Sequence, residues 1–178
     1  MSATRVRFAV GGTFAVLMFA AVAFVFSGVY NIGADDHHTK LVLAAITQLR
    51  DSSIAVRASK VEVPNLEDPA KIAAGADRYA LLCVGCHLAP GVTKSDLRPG
   101  LYPHPPNLVQ AESIDAQRAF WIIKHGIKMS AMPAWGKSLG DAEIWDIVSF
   151  VRKMPSMSQD TYLQLSRGSS SSASPNRS

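Results

Sequence analysis

Cysteine is almost missing from this chain. There are two in 178 residues, and both fall in one pentapeptide, Cys83-Val84-Gly85-Cys86-His87. No thiol is left for a disulfide framework or a four-cysteine zinc site, and the other histidines are too scattered to complete a mixed zinc set. Charge bias is also weak. The formal net charge is +4, part of it from Arg5 and Arg7 near the N-terminus. No long Lys/Arg cluster or aromatic–basic platform is present, which argues against nucleic acid as a partner. No strand-rich pattern surrounds the cysteines, as a thioredoxin-like dithiol enzyme would require. From Ser166 onward no bulky apolar residue occurs, so nothing there can drive packing.

What is present is the C-x-x-C-H pattern that attaches a c-type haem. Two thiols three positions apart can each add to one of the two porphyrin vinyl groups. The histidine directly after the second thiol is then held under the iron as an axial ligand. A second ligand is expected downstream, where Met129 and Met132 stand in Lys128-Met129-Ser130-Ala131-Met132-Pro133-Ala134-Trp135-Gly136. A thioether is the usual partner of histidine in cytochromes c. Met132 is preferred over Met129, because the following proline favours an extended backbone suited to a presenting loop. His104 and His125 are the rival ligands. A thiol oxidoreductase that uses Cys83 and Cys86 without haem is the remaining alternative at this motif.

The longest apolar run, Phe8 to Ile32, contains no charge. About 20 such residues span a bilayer, whereas a cleavable signal core is about 7–15 residues long. The run therefore reads as an uncleaved signal anchor. Arg5 and Arg7 before it, with Asp35 and Asp36 after it, put the N-terminus in the cytoplasm by the positive-inside rule. The rest of the chain then lies on the periplasmic side of a bacterial inner membrane, where such haem is attached.

Four segments are expected over the chain: an anchor at 1–34, a linker with an amphipathic helix at 35–62, a haem domain at 63–155, and a flexible Ser-rich tail at 156–178. The linker helix is expected over 39–59 with Thr39 as its cap. It shows an apolar face of Leu41, Ala45 and Leu49, fit either to pack on the haem domain or to lie on a membrane surface. Within the haem domain, Asp68-Pro69 opens a helix to about Leu82. A second helix covers 115–126, with Ser113 as cap and Gly126 as stop. A third covers 141–153, with Arg152 and Lys153 at its negative end.

Over roughly 66–155 the chain resembles a class I cytochrome c. Beyond the pentapeptide, Gly75 and Tyr79 stand where that family crosses its first and last helices closely, with Trp145 and Val148 as the implied partners. Pro106-Asn107-Leu108 is similar to the segment whose proline carbonyl accepts the Nδ1–H of the proximal histidine, and Met132-Pro133 is similar to the axial-methionine loop. The resemblance implies an all-α fold of about three to five helices around one covalent haem c, after one transmembrane and one linker helix. It implies cofactor contacts at Cys83, Cys86, His87, Met132, Pro106 and Trp135, with iron held by His87 and Met132. Arg98, Tyr102 and Trp135 are the candidates to bond the haem propionates. The stretch 97–103 departs from the family pattern. With both axial positions filled, a one-electron carrier is expected rather than an enzyme, working between membrane-associated redox proteins. The alternative is a gas-binding sensor in which the methionine detaches.

Overall fold

The computed structural model describes residues 3–167. The chain divides into two compact units, Met1–Asp36 and His37–Ser178.

The first unit is one helix, α1 (Ala3–Phe26). Its stretch Arg7–Phe26 is long and apolar enough to cross a membrane, with mean hydropathy 2.3. The apolar run continues to Ile32, but the helix does not. The Ser27 hydroxyl donates to the Phe24 carbonyl at 2.7 Å, and Gly28 takes a left-handed φ of 66°, so the backbone leaves the helical path there.

The second unit is all-helical, and no strand occurs among the described residues. Its helices are α2 (Lys40–Ala58), α3 (Pro69–Leu82), the single turn α4 (Val84–His87), α5 (Ala116–His125), α6 (Asp141–Lys153) and α7 (Gln159–Arg167). The starts follow local chemistry. Asp68 accepts from the Ala70 N–H at 2.9 Å ahead of Pro69, and Thr39 accepts from Val42 N–H at 3.4 Å. The α5 cap is Asp115, which accepts from Arg118 N–H at 2.7 Å, not Ser113. A cap must directly precede the first helical residue to reach its free N–H groups, and Ser113 stands too early. At α6 the Glu143 carboxylate reaches back to the Gly140 N–H at 2.9 Å.

The core forms where α3 crosses α6. Tyr79, Ile144, Ile147, Val148, Phe150 and Met154 are fully buried there. Gly75 makes the crossing possible, and its close neighbours are the Asp146 backbone and Phe150 Cβ. Tyr79 lies on Phe150 with ring centroids 5.2 Å apart. The resemblance pointed to Trp145 as a partner at this crossing. Trp145 packs against this core and stacks on Phe120 of α5, with centroids 4.2 Å apart and planes inclined 17°.

Two further elements enlarge this core. Helix α2 packs on α5 through Ile54 and Ala58, which are 3% and 2% exposed. Its predicted apolar face points the other way: Leu41 and Leu49 are exposed, because at 100° per residue they lie opposite Ile54 and Ala58. Helix α7 occupies part of the stretch expected as a flexible tail. Tyr162 is buried against Phe150, with centroids 6.0 Å apart. Leu163 and Leu165 add partly buried apolar surface, and Ser158 caps the helix by accepting from Thr161 N–H at 3.1 Å. The rest of the expected tail, 168–178, lies outside the described residues.

Candidate functional site

Helix α3 ends so as to deliver the pentapeptide into one tight turn. Cys83 N–H still bonds to Tyr79 O at 2.9 Å, while Cys83 O accepts from both Cys86 N–H (3.1 Å) and His87 N–H (2.9 Å). Leu88 then breaks the helix at φ 63°. The Tyr79 hydroxyl holds that strained residue, donating to Leu88 O at 2.6 Å. The following loop folds back over the turn: Ser95 Oγ bonds to Gly85 O, and Arg98 Nη1 donates to Cys86 O at 2.5 Å.

Cys83 and Cys86 are both free thiols. Burial, helped by Cys86, pushes the Cys83 thiol up to about 12. A dithiol redox enzyme has a depressed value at its attacking cysteine, and burial works against that at Cys83. Among the described residues no group of three or more His, Cys, Asp or Glu side chains could hold a bare metal ion.

His87 Nδ1 lies 3.0 Å from Pro106 O. A carbonyl only accepts, so the proton sits on Nδ1 and the lone pair on Nε2. Burial lowers the His87 pKa despite the opposing effect of the Pro106 bond, which keeps the ring neutral and able to ligate. The carbonyl also fixes ring orientation and raises ligand basicity.

The methionine loop is pinned at three points. Ile127 N–H donates to Met132 O at 3.1 Å. Ser130 Oγ donates to Ile127 O at 2.8 Å and accepts from Met132 N–H at 3.2 Å. Gly126 supplies the seat: at φ +65°, a Cβ there would stand 2.7 Å from Met132 O and 2.8 Å from Ala134 N. Gly126→Ala should therefore displace the loop, costing at least about 2 kcal/mol from overpacking and a left-handed alanine. Chemical denaturation measures this; an unchanged midpoint would show that the seat is not needed. Met129, also left-handed, is 96% exposed. Met132 is half-buried and packed against the core.

These parts enclose one cavity of about 500 Å³, within the range of about 300–1,000 Å³ for cofactor sites. Cys83, Cys86 and His87 line it with Tyr79 and Leu82. Pro106 and Leu108 follow from the loop, Ile122 and Ile123 from α5, Met132 and Trp135 from the methionine segment, and Ile147 and Val151 from α6. The wall is mostly apolar, and its polar residues include Arg50, Ser113, Asp115 and Arg118. A flat apolar macrocycle fits these walls, with two thiols, a neutral imidazole and a thioether on them.

The six predicted cofactor residues all line this cavity. The other candidates separate. Arg98 and Tyr102 are not among the lining residues; Arg98 is spent on the Cys86 carbonyl, and Tyr102 packs against the rings of His37 and His38 at 4.7 and 5.5 Å. His125 lies beside Trp121 at 4.8 Å, off the cavity. His104 does line it, but it is exposed and stands two residues before the proline that holds His87. Sequence reasoning missed Arg50 and Arg118.

Residues 70–151 match a protein family described as cytochrome c oxidase, cbb3-type, subunit III. No curated protein and no solved structure matches the chain.

Proposed function

We propose, on the premise that residues 70–151 form a class I c-type cytochrome domain with one covalent haem c, that the whole chain is a membrane-anchored carrier of single electrons. The domain is an electron-transfer module. The haem supplies the one-electron ferrous/ferric couple. Cys83 and Cys86 would bond it, and His87 and Met132 would fill its two axial positions. The observation that carries this reading is the shared apolar cavity that both thiols, the Pro106-oriented imidazole and Met132 all line.

The chain's own residues account for the behaviour expected. Pro106 keeps the proton on Nδ1, so His87 presents a neutral donor. A sulfur ligand from Met132 favours the ferrous state relative to a second histidine and raises the potential. With His87 and Met132 both holding the iron, a gas or substrate would find no open position, which favours electron transfer over catalysis. Helix α1 would hold the domain at the outer face of the inner membrane, with Arg5 and Arg7 inside. Tethering raises the effective concentration of any membrane-bound donor or acceptor, and small transient contacts then suffice.

Three readings test this. Haem staining after denaturing electrophoresis should stay positive, since only a bonded cofactor survives. The oxidised protein should show the long-wavelength methionine–ferric iron band, and Met132→Ala should abolish it, lower the potential and admit carbon monoxide to the reduced form. Rapid carbon monoxide binding to the unaltered protein would instead favour a gas sensor, and an unstained band would overturn the reading.

A further inference from the structure

We propose that α2, which lies outside the family-matched segment, is part of the haem site: Arg50 of α2 and Arg118 of α5 form a cationic edge that pairs with the haem propionates. The inference rests on the haem-binding reading above.

The cavity wall is apolar over most of its area, but a haem periphery carries two carboxylates. A carboxylate taken out of water needs a hydrogen-bonding or charged partner. Among the residues lining the cavity, the permanent cations are Arg50 and Arg118. They come from different helices and meet at one anion. Asp51 Oδ1 stands 2.9 Å from Arg50 Nε and 3.7 Å from Arg118 Nη2. The hydrogen bond from Arg50, with the nearby charges of Arg50 and Arg118, holds the Asp51 carboxyl below its ordinary value.

The guanidinium donors outnumber the carboxylate oxygens paired with them. Among the described residues, Asp51 is the one carboxylate ion-paired with either arginine. Asp115 also lines the cavity and keeps its charge, with Oδ1 accepting from the Arg118 N–H at the cap of α5. Two guanidinium groups with five N–H donors each thus share one ion-paired carboxylate, which cannot take up most of their donors. Guanidinium forks match carboxylates in geometry as well as charge. Arg98, the arginine expected from sequence, does not take this role, because it bonds the Cys86 carbonyl and is not among the lining residues.

The test uses the full-length haem-loaded protein. Arg50→Leu and Arg118→Leu should each lower the reduction potential, because a nearby cation favours the state with the extra electron. The expected fall is up to about tenfold in the ferrous/ferric equilibrium, or about 59 mV for one electron. Arg50→Lys should restore most of it. Asp51→Asn should move the potential the other way, since it removes the anion that competes for both arginines. A mere α2–α5 clamp predicts the same sign for Arg50→Leu and Asp51→Asn. Contact with the propionates is read separately, from the propionate bending band in resonance Raman spectra. It should shift in Arg50→Leu and Arg118→Leu and stay in place in Arg98→Leu. An unmoved band or unchanged potential in haem-loaded variants overturns the inference. A parent protein that carries no haem overturns the functional reading instead.

Discussion

Replacing Cys83 and Cys86 together with alanine should abolish the haem-stained band and leave little folded protein. The first effect follows from chemistry, since without sulfur no thioether can hold a cofactor through denaturation. The second follows from packing. At about 24 cal/mol per Å³, an unfilled cavity of about 500 Å³ corresponds to about 12 kcal/mol. That is an upper bound, because water enters an open cavity, yet it rivals the whole net stability of a domain, about 5–15 kcal/mol. A unit of this size also buries too little surface of its own to tolerate such a loss. The single variants Cys83→Ala and Cys86→Ala should keep one bond and a weaker stain. Circular dichroism of the double variant measures the fold, and haem staining measures attachment. A double variant with the parent's melting temperature would show that the fold does not depend on the bonded cofactor.

The pentapeptide was legible because its chemistry is local. Five adjacent residues carry both thiols and the imidazole, and a single helical turn is enough to aim them. Helix starts at Asp68-Pro69 and Thr39 were legible for the same reason. Pro106 could be read only through resemblance to a family, since its carbonyl meets His87 across a loop that composition does not describe. Periodicity gave α2 an apolar face but not its direction. Leu41 and Leu49 repeat at helical spacing, yet the face that packs is the shorter one of Ile54 and Ala58. The place of Arg50 at the cavity appears only once α2 lies on α5 beside Arg118. The tail expected over 156–178 rests on a composition that turns Ser-rich only from Ser166, and the stretch 156–165 before it contains most of α7. Tyr162, packed on Phe150, holds it to the core with help from Leu163 and Leu165.

The same α3–α6 crossing sets up the other large effect. Gly75→Ala should cost about 3 kcal/mol or more and impair haem incorporation, although alanine is the better helix former by about 1 kcal/mol. A Cβ at Gly75 would stand 2.0 Å from Asp146 O, 2.5 Å from its carbonyl carbon and 2.9 Å from Phe150 Cβ. Two of these are backbone atoms of α6, so no side-chain rotation relieves the clash, and overpacking alone costs about 1–3 kcal/mol. Asp146 cannot easily withdraw, since Arg78 ties α3 to it at 3.6 Å and to Glu143 at 2.8 Å. The helices must therefore separate. Helix α3 carries Cys83 and His87, while α6 supplies Ile147 and Val151 to the facing wall, so separation opens the cavity at the point where the cofactor is to be held. Gly100→Ala is the control, because a Cβ there meets nothing within 4 Å and should leave stability unchanged. Denaturation midpoints and haem staining of the two variants decide the matter. If Gly75→Ala matches the control, the close approach of α3 and α6 is not what fixes the geometry of this site.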